Sequence, residues 1–136
     1  EAMVKVGVNA CTDITGFGLI GHLRSMVRGS KVSANIRFRD VPVLPGTWDL
    51  LNQGIVPGGT YRNLQSVSDS VHWDQDLTQE QRLLMCDAQT SGGLLISVPP
   101  ERLDMLLSEL EAAGVATRAV VGGIAESNPG QIHASV

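Results

Sequence analysis

The sequence has little of several features that mark particular classes of protein. Only two of its 136 residues are cysteines, Cys11 and Cys86, and their spacing provides no C-x-x-C pair and no disulfide framework. No stretch approaches the roughly 18 apolar residues of a membrane span, and no signal-peptide pattern opens the chain. We therefore expect two reduced thiols, no membrane partner and a cytoplasmic location.

Positive charge and aromatic side chains are also scarce. The formal net charge is −4 at pH 7, whereas a nucleic-acid partner requires a basic face. Two Trp, one Tyr and two Phe leave little for base stacking. The 43% hydrophobic and 18% charged residues are ordinary for a globular protein, and 136 residues fit a single domain. We expect no nucleic-acid partner.

Helix and strand patterns intermingle without a strict βαβ order. Alternating apolar residues predict a strand over 32–39 with one solvated face, and an apolar stripe predicts a helix over about 16–28. The remaining predicted elements are strands over 6–13, 71–73, 94–98, 115–121 and 131–135, and helices over about 47–53, 79–86 and 99–113. The third of these helices is expected to bury a leucine stripe: Leu103, Leu106, Leu107 and Leu110. The mixture predicts an α+β layered sandwich of a mixed or antiparallel sheet with helices.

Three glycine-bearing segments could hold chemistry: "TDITGFG" (12–18), "PGGTYRN" (57–63) and "TSGG" (90–93). Each of the three could be a simple turn, since glycine is the commonest turn residue. The "PGGT" sequence is predicted to form a sharp loop, followed by an irregular stretch. Amides at a helix entrance also bind anions, and the glycines of the first segment let a phosphate approach. No Walker A motif, Rossmann fingerprint or nucleophile elbow is present, so the residues alone define no complete active site.

Asp13 in the first segment has two interpretations. A carboxylate beside a bound phosphate requires a cation between them, and Mg²⁺ takes carboxylate and phosphate oxygens together. Alternatively, Asp13 caps the following helix, a position that favours aspartate without any ligand. The residues alone leave both open. His22 is interpreted as a hydrogen-bonded structural histidine, with no second histidine or cysteine at the spacing of a zinc site.

Taken in order, the three segments resemble a known family. "ACTDITGFGLIGHL", "LPG" with "GIVPGGTYRN", and "CDAQTSGGLLISV" are similar to the C-terminal half of the selenophosphate synthetases (selenide, water dikinases), over about residues 8–124. The resemblance implies that residues 1–136 form one C-terminal domain of the aminoimidazole ribonucleotide synthetase type. It also implies an N-terminal domain, absent from this sequence, that carries the nucleophilic Cys or Sec, a catalytic lysine, several magnesium-binding aspartates and most of the ATP site.

The resemblance implies that Asp13 is a magnesium ligand rather than a cap. It places three sets of residues near the nucleotide phosphates, although the roles of the second and third sets cannot be worked out from the residues: Thr12, Thr15, Gly16 and Gly18; Gly58, Gly59, Thr60 and Asn63; Thr90, Ser91, Gly92 and Gly93. Ala88 stands where many members have proline. Unlike proline, alanine has a backbone N–H that can donate a hydrogen bond. No catalytic residue is expected within this chain, and the chain alone is predicted to be inactive.

The implied reaction converts ATP, selenide and water to selenophosphate, AMP and phosphate, with Mg²⁺ as cofactor and a homodimer as the assembly. Two alternatives stay open. One is another ATP-dependent enzyme of the same superfamily, such as a thiamine monophosphate kinase. The other is a non-catalytic module that dimerises through its exposed sheet, with which Arg37 and Arg39 on the solvated face of the 32–39 strand are compatible.

Overall fold

The computed structural model describes all residues from 1 to 136. In chain order its elements are α1 (Ala2–Val6), β1 (Ala10–Asp13), α2 (Gly18–Ser30), β2 (Ser33–Arg37), α3 (Thr47–Asn52), α4 (Gly58–Ser66), β3 (Val71–Trp73), α5 (Gln79–Met85), β4 (Leu94–Ser97), α6 (Leu103–Ala112), β5 (Gly122–Ala125) and β6 (Ile132–Ser135). Short 3₁₀ turns occupy Phe38–Asp40 and Pro100–Arg102.

The strands form two separate sheets. The larger sheet has the order β3-β6-β2-β5, in which β6 runs parallel to both β3 and β2, and β5 runs antiparallel to β2. The smaller is an antiparallel ribbon of β1 and β4, with Asp13 opposite Leu94. Helices packed on a mixed sheet confirm the predicted α+β class. The ribbon joins the first and third glycine segments.

Helix α2 lies at the centre of the core and contacts β1, β2, α4 and α5. Its apolar stripe buries Leu19, Ile20, Leu23 and Val27 in one cluster with side chains of β2 and β6. Fully burying one such aliphatic side chain contributes about 1.5–3 kcal/mol. The stripe therefore anchors the helix that follows the Asp13 segment, and it confirms the predicted helix with its ends displaced by two residues.

The N-terminal region differs from the predicted strand over 6–13. Residues Ala2–Val6 are helical, Gly7 closes that helix at φ 78°, and β1 begins only at Ala10. The predicted strand over 32–39 is also shorter, since its last residues turn into the 3₁₀ segment. Ser33 is buried rather than solvated, because β2 lies between two strands and its hydroxyl donates to the carbonyl of Ala125.

Further predictions were wrong in the middle and toward the end of the chain. The "PGGT" segment is not a loop but the start of α4, which continues through residues expected to be irregular. No strand forms over 115–121; the nearest strand begins at Gly122. Of the expected leucine stripe of α6, Leu106 alone is buried and the other three leucines are partly covered. Leu94, the first residue of β4, is 57% exposed.

Other predictions were confirmed, including α3, β3, β6 and the capping box that opens α5. In that box the Thr78 side chain accepts from the Gln81 amide, and the Gln81 side chain accepts from the Thr78 amide. None of the helices has both the length and the apolar character required to cross a membrane.

Candidate functional site

The β1–β4 ribbon brings the first and third glycine segments side by side. Beyond the ends of its strands, the amide of Ile14 donates to the carbonyl of Gly93, and the amide of Gly92 donates to the carbonyl of Ile14, both at 2.9 Å. The amide of Gln89 donates to the carbonyl of Thr15 at 3.2 Å. A Cβ on Gly92 would lie 2.6 Å from the carbonyl oxygen of Ile14, so this approach requires glycine.

The second segment forms hydrogen bonds to the first segment and to the residues just before the third, through two buried side chains of α4. The Thr60 hydroxyl donates to Oδ1 of Asp87 at 3.1 Å and accepts from the amide of Ala88 at 3.0 Å. Nδ2 of Asn63 donates to the carbonyl oxygens of Gly16 and Cys86. The structure thus brings the three segments together, and the Thr60 hydroxyl and the Asn63 amide nitrogen have protein partners.

The first segment is also tied to the helix that follows it. The amide of Thr15 donates to Nε2 of His22 at 3.1 Å, and the Thr15 hydroxyl lies 3.2 Å from the same nitrogen. This confirms the interpretation of His22 as a hydrogen-bonded structural histidine. Gly18 adopts φ 71°, and a Cβ there would lie 2.6 Å from the carbonyl carbon of Cys86. The segment therefore docks directly onto the backbone at the end of α5.

Asp13 is the last residue of β1 and its side chain is exposed. It takes part in none of the five ion pairs of the chain. The helix-cap alternative is wrong, because α2 begins only at Gly18, its N-cap is Phe17, and no side chain caps it. Asp13 thus presents a free carboxylate on a backbone that neighbouring segments hold in place.

The remaining predicted site residues differ in accessibility. Thr12 and Thr15 are half-buried, and the Thr12 hydroxyl donates to the carbonyl oxygen of Asp13 at 3.3 Å. Gly59 is half-buried as well, and its nearest neighbour in space is the side chain of Ala88. The exposed members are Gly16, Gly58, Thr90, Ser91, Gly92 and Gly93. The exposed members of the first and third segments form the accessible surface of the site.

Sequence reasoning missed two residues that organise this region, Asp87 and Gln89. Both lie within "CDAQ", which was recognised only as part of the third motif. The Asp87 carboxylate accepts a hydrogen bond from the Thr60 hydroxyl, and the amide of Gln89 donates to the carbonyl of Thr15. No spacing rule along the chain could have found partners that lie 27 residues or more apart.

Neither cysteine has the character of a reactive thiolate. Partial burial, together with the neighbouring Asp13 carboxylate, raises the pKa of Cys11. Burial raises the pKa of Cys86 to about 12. Because the thiolate is the nucleophilic form, both side chains are protonated and weakly reactive near neutral pH.

The donor set of Asp13 fits one ligand of a magnesium site. Mg²⁺ prefers oxygen ligands, keeps several waters, and is commonly held by one or two carboxylates plus substrate phosphates. The exposed Asp13 carboxylate meets that requirement. However, the chain nowhere groups three His, Cys, Asp or Glu side chains that could hold a metal ion. A complete site needs ligands beyond those that these residues provide.

The fold and the three converging segments agree with the family comparison. The chain belongs to the family described as AIR synthase related protein, C-terminal domain, whose model matches residues 1–134. This confirms the predicted fold type.

Curated relatives named "Selenide, water dikinase" match most of the chain. The protein of Porphyromonas gingivalis (strain ATCC 33277) is 43% identical over 125 residues, which is 92% of this chain and 35% of the relative. That of Shewanella baltica (strain OS185) is 46% identical over 110 residues, 81% of this chain and 30% of the relative. That of Photobacterium profundum is 50% identical over 95 residues, 70% of this chain and 27% of the relative. The chain thus spans about a third of the length of these relatives.

Proposed function

We propose that this chain is the nucleotide-facing C-terminal domain of a selenide, water dikinase, which makes selenophosphate, AMP and phosphate from ATP, selenide and water. The names of the relatives and the family match support this proposal. Because the chain spans about a third of those relatives, the nucleophile, the catalytic lysine and the other magnesium ligands would come from the rest of the enzyme. The same resemblance motivates the proposals of a homodimer and a cytoplasmic location.

The observation that carries the proposal is the free carboxylate of Asp13 on a restrained backbone. Phosphoryl transfer depends mainly on positioning and on neutralising the charge of the phosphates. Asp13 would provide one carboxylate ligand to Mg²⁺. The bound cation would neutralise negative charge on the phosphate oxygens. The backbone beside Asp13 is held by hydrogen bonds of Ile14 to the third segment and of Thr15 to Gln89, which precedes that segment. Because the backbone beside Asp13 is already held, binding a cation costs less conformational freedom than it would on a mobile loop.

The accessible parts of the first and third segments would provide donors for the phosphates. Gly16 and Gly93 are exposed, and neither has an atom within 4 Å of the position of a Cβ. Gly16 and Phe17, the exposed residues that precede α2, lie at the start of a helix of thirteen residues, an end that favours anions through the helix dipole. Thr90 and Ser91 add exposed hydroxyl groups. We propose that these groups face the triphosphate across the domain boundary.

The decisive experiment compares Asp13→Asn with Asp104→Asn in the full-length enzyme. Asp104 is an exposed acid on α6, outside the three segments. We expect Asp13→Asn to lower turnover about 100-fold or more, in the range found when one charge-stabilising group is removed from an active site, with no change in Tm. Asp104→Asn should retain full activity. Formation of selenophosphate and AMP is measured by ³¹P NMR and chromatography.

Two outcomes would contradict the proposal. Unchanged turnover of Asp13→Asn would remove Asp13 from the site. Phosphorylation of thiamine monophosphate in place of selenide would assign the enzyme to another branch of the superfamily. The isolated 136-residue chain should release no phosphate from ATP above a metal-free blank.

A further inference from the structure

The amide of Asn63 joins two segments that are distant in the sequence. Its Nδ2 donates to the carbonyl oxygen of Gly16 at 2.8 Å and to that of Cys86 at 3.1 Å. A carboxamide nitrogen has two hydrogens, so both are used within the protein. The residue is only 9% exposed, which leaves this nitrogen no donor for a ligand. Asn63 therefore acts on the site through its neighbours.

The two carbonyls lie beside a close backbone contact between the first segment and the end of α5. Gly18 lies so close to Cys86 that a Cβ would clash with the carbonyl of Cys86. On the other side of Gly16, the amide of Thr15 is held by His22, and Ile14 is held by the third segment. Each residue from 14 to 16 is thus held by at least one hydrogen bond, and Asn63 provides the last of them.

We propose that Asn63 is a positioning residue that fixes the direction of the Asp13 carboxylate by holding the Gly16 and Cys86 carbonyls together. The proposal rests on the proposed magnesium role of Asp13. Small misplacements of a group that acts on reacting phosphates have large effects on rate. Loss of both donors leaves the buried Cys86 carbonyl without this partner, which is costly, and releases the Gly16 carbonyl of the exposed first segment to turn toward water.

The first test uses Asn63→Ala and Asn63→Ser in the full-length enzyme, with Ser66→Ala as the matched control. Ser66 lies on the same helix and is exposed, and its hydroxyl donates only to the carbonyl of Asn63 within that helix. We expect both Asn63 variants to lower kcat about 10-fold or more, to raise the Mg²⁺ concentration for half-maximal activity, and to leave KM for ATP within about threefold. Ser66→Ala should match the unmodified enzyme. Unchanged kcat and unchanged Mg²⁺ dependence in both Asn63 variants would overturn the inference.

A double-mutant cycle separates positioning from general destabilisation. If Asn63 acts through Asp13, adding Asn63→Ala to Asp13→Asn should cause no further loss of turnover, because coupled residues are not additive. Full additivity of the two losses would overturn the inference, since it would mean that Asn63 acts independently of Asp13.

Hydrogen exchange tests the arrangement independently of the magnesium proposal. In either Asn63 variant the amides of Ile14, Gln89 and Gly92 should exchange at least 10-fold faster than in the unmodified protein. Unchanged exchange would refute the positioning role even if Asp13 proves essential. Conversely, Asp13→Asn could retain full activity while the Asn63 variants exchange faster. That result would contradict the proposed function but support the positioning of the loop by Asn63. Should both Asn63 variants fail to fold, the three amides in the unmodified protein should share one protection factor, and three unrelated protection factors would overturn the inference.

Discussion

The backbone N–H of Thr15 donates a hydrogen bond to Nε2 of His22, and the two nitrogens are 3.1 Å apart. An acceptor nitrogen must keep its lone pair, so the neutral ring carries its proton on Nδ1. The histidine stands on the first turns of α2 and reaches back to the segment that precedes the helix. The orientation of this ring therefore links the core helix to the loop that bears Asp13.

We expect His22→Leu to lower the free energy of unfolding by about 1–3 kcal/mol, because the half-buried Thr15 amide loses its acceptor. His22→Gln retains an acceptor oxygen and should lose less. The matched control is His133→Gln, an exposed position on β6 where the change should stay within about 0.5 kcal/mol. Chemical denaturation measures these differences. A ¹⁵N spectrum showing the proton of the neutral ring on Nε2 would contradict the arrangement.

Gly18 and Gly29 provide a matched pair within one helix. Gly18→Ala should destabilise the protein by about 3 kcal/mol or more, because it combines a left-handed backbone with a clash against Cys86. Gly29→Ala should be neutral or stabilising by up to about 1 kcal/mol, since nothing lies within 4 Å of its added Cβ. Thermal unfolding of both variants checks the prediction, which an equal Tm for the two would contradict.

The Thr60 hydroxyl satisfies two groups at the end of α5, the Asp87 carboxylate and the Ala88 amide. Thr60→Val keeps the shape but removes both hydrogen bonds, so we expect a loss of about 1–3 kcal/mol in the free energy of unfolding. Thr60→Ser keeps the hydroxyl and should lose only about 1 kcal/mol, from the missing methyl group. A Thr60→Ser variant less stable than Thr60→Val would show that packing, not hydrogen bonding, decides this position.

Thiol alkylation should distinguish the two cysteines. Cys11 is exposed and Cys86 is buried, so iodoacetamide should modify Cys11 first in the folded protein. The rate should rise with pH, since burial and the Asp13 carboxylate raise the pKa of Cys11 and only the thiolate reacts. Asp13→Asn removes the raising charge, which lowers the pKa and increases the rate at a given pH. Peptide mass spectrometry follows the reaction, with Asp104→Asn as the control that should leave the rate unchanged.

Features that depend on neighbours in the chain were predictable from the sequence. The capping box of α5 requires only Thr78 and Gln81, three residues apart, and the structure forms both of its hydrogen bonds. The apolar stripe of α2 recurs at helical spacing, which predicted the buried side of that helix. Both signals are local, so no knowledge of the remaining fold was necessary.

Features that depend on distant partners were not predictable in the same way. "PGGT" was expected to be a loop, yet Pro57 and two glycines begin α4, because the first turn of a helix leaves its amides unpaired in any case. That helix is then secured by Thr60 and Asn63, whose partners lie in other segments. Residues 115–121 form no strand, and only Val121 at their end reaches β2, where its carbonyl accepts from the Arg37 amide at 2.8 Å.

By itself, the sequence determined the α+β class, most of the helices and the three segments that carry the family resemblance, because each follows from local periodicity or from short motifs. Only the tertiary structure decided that these segments meet, that Asp13 is free rather than a helix cap, and that Asn63 and His22 hold the loop beside it. The physical reason is that hydrogen bonds between residues far apart in the chain form only once the core around α2 has brought them together.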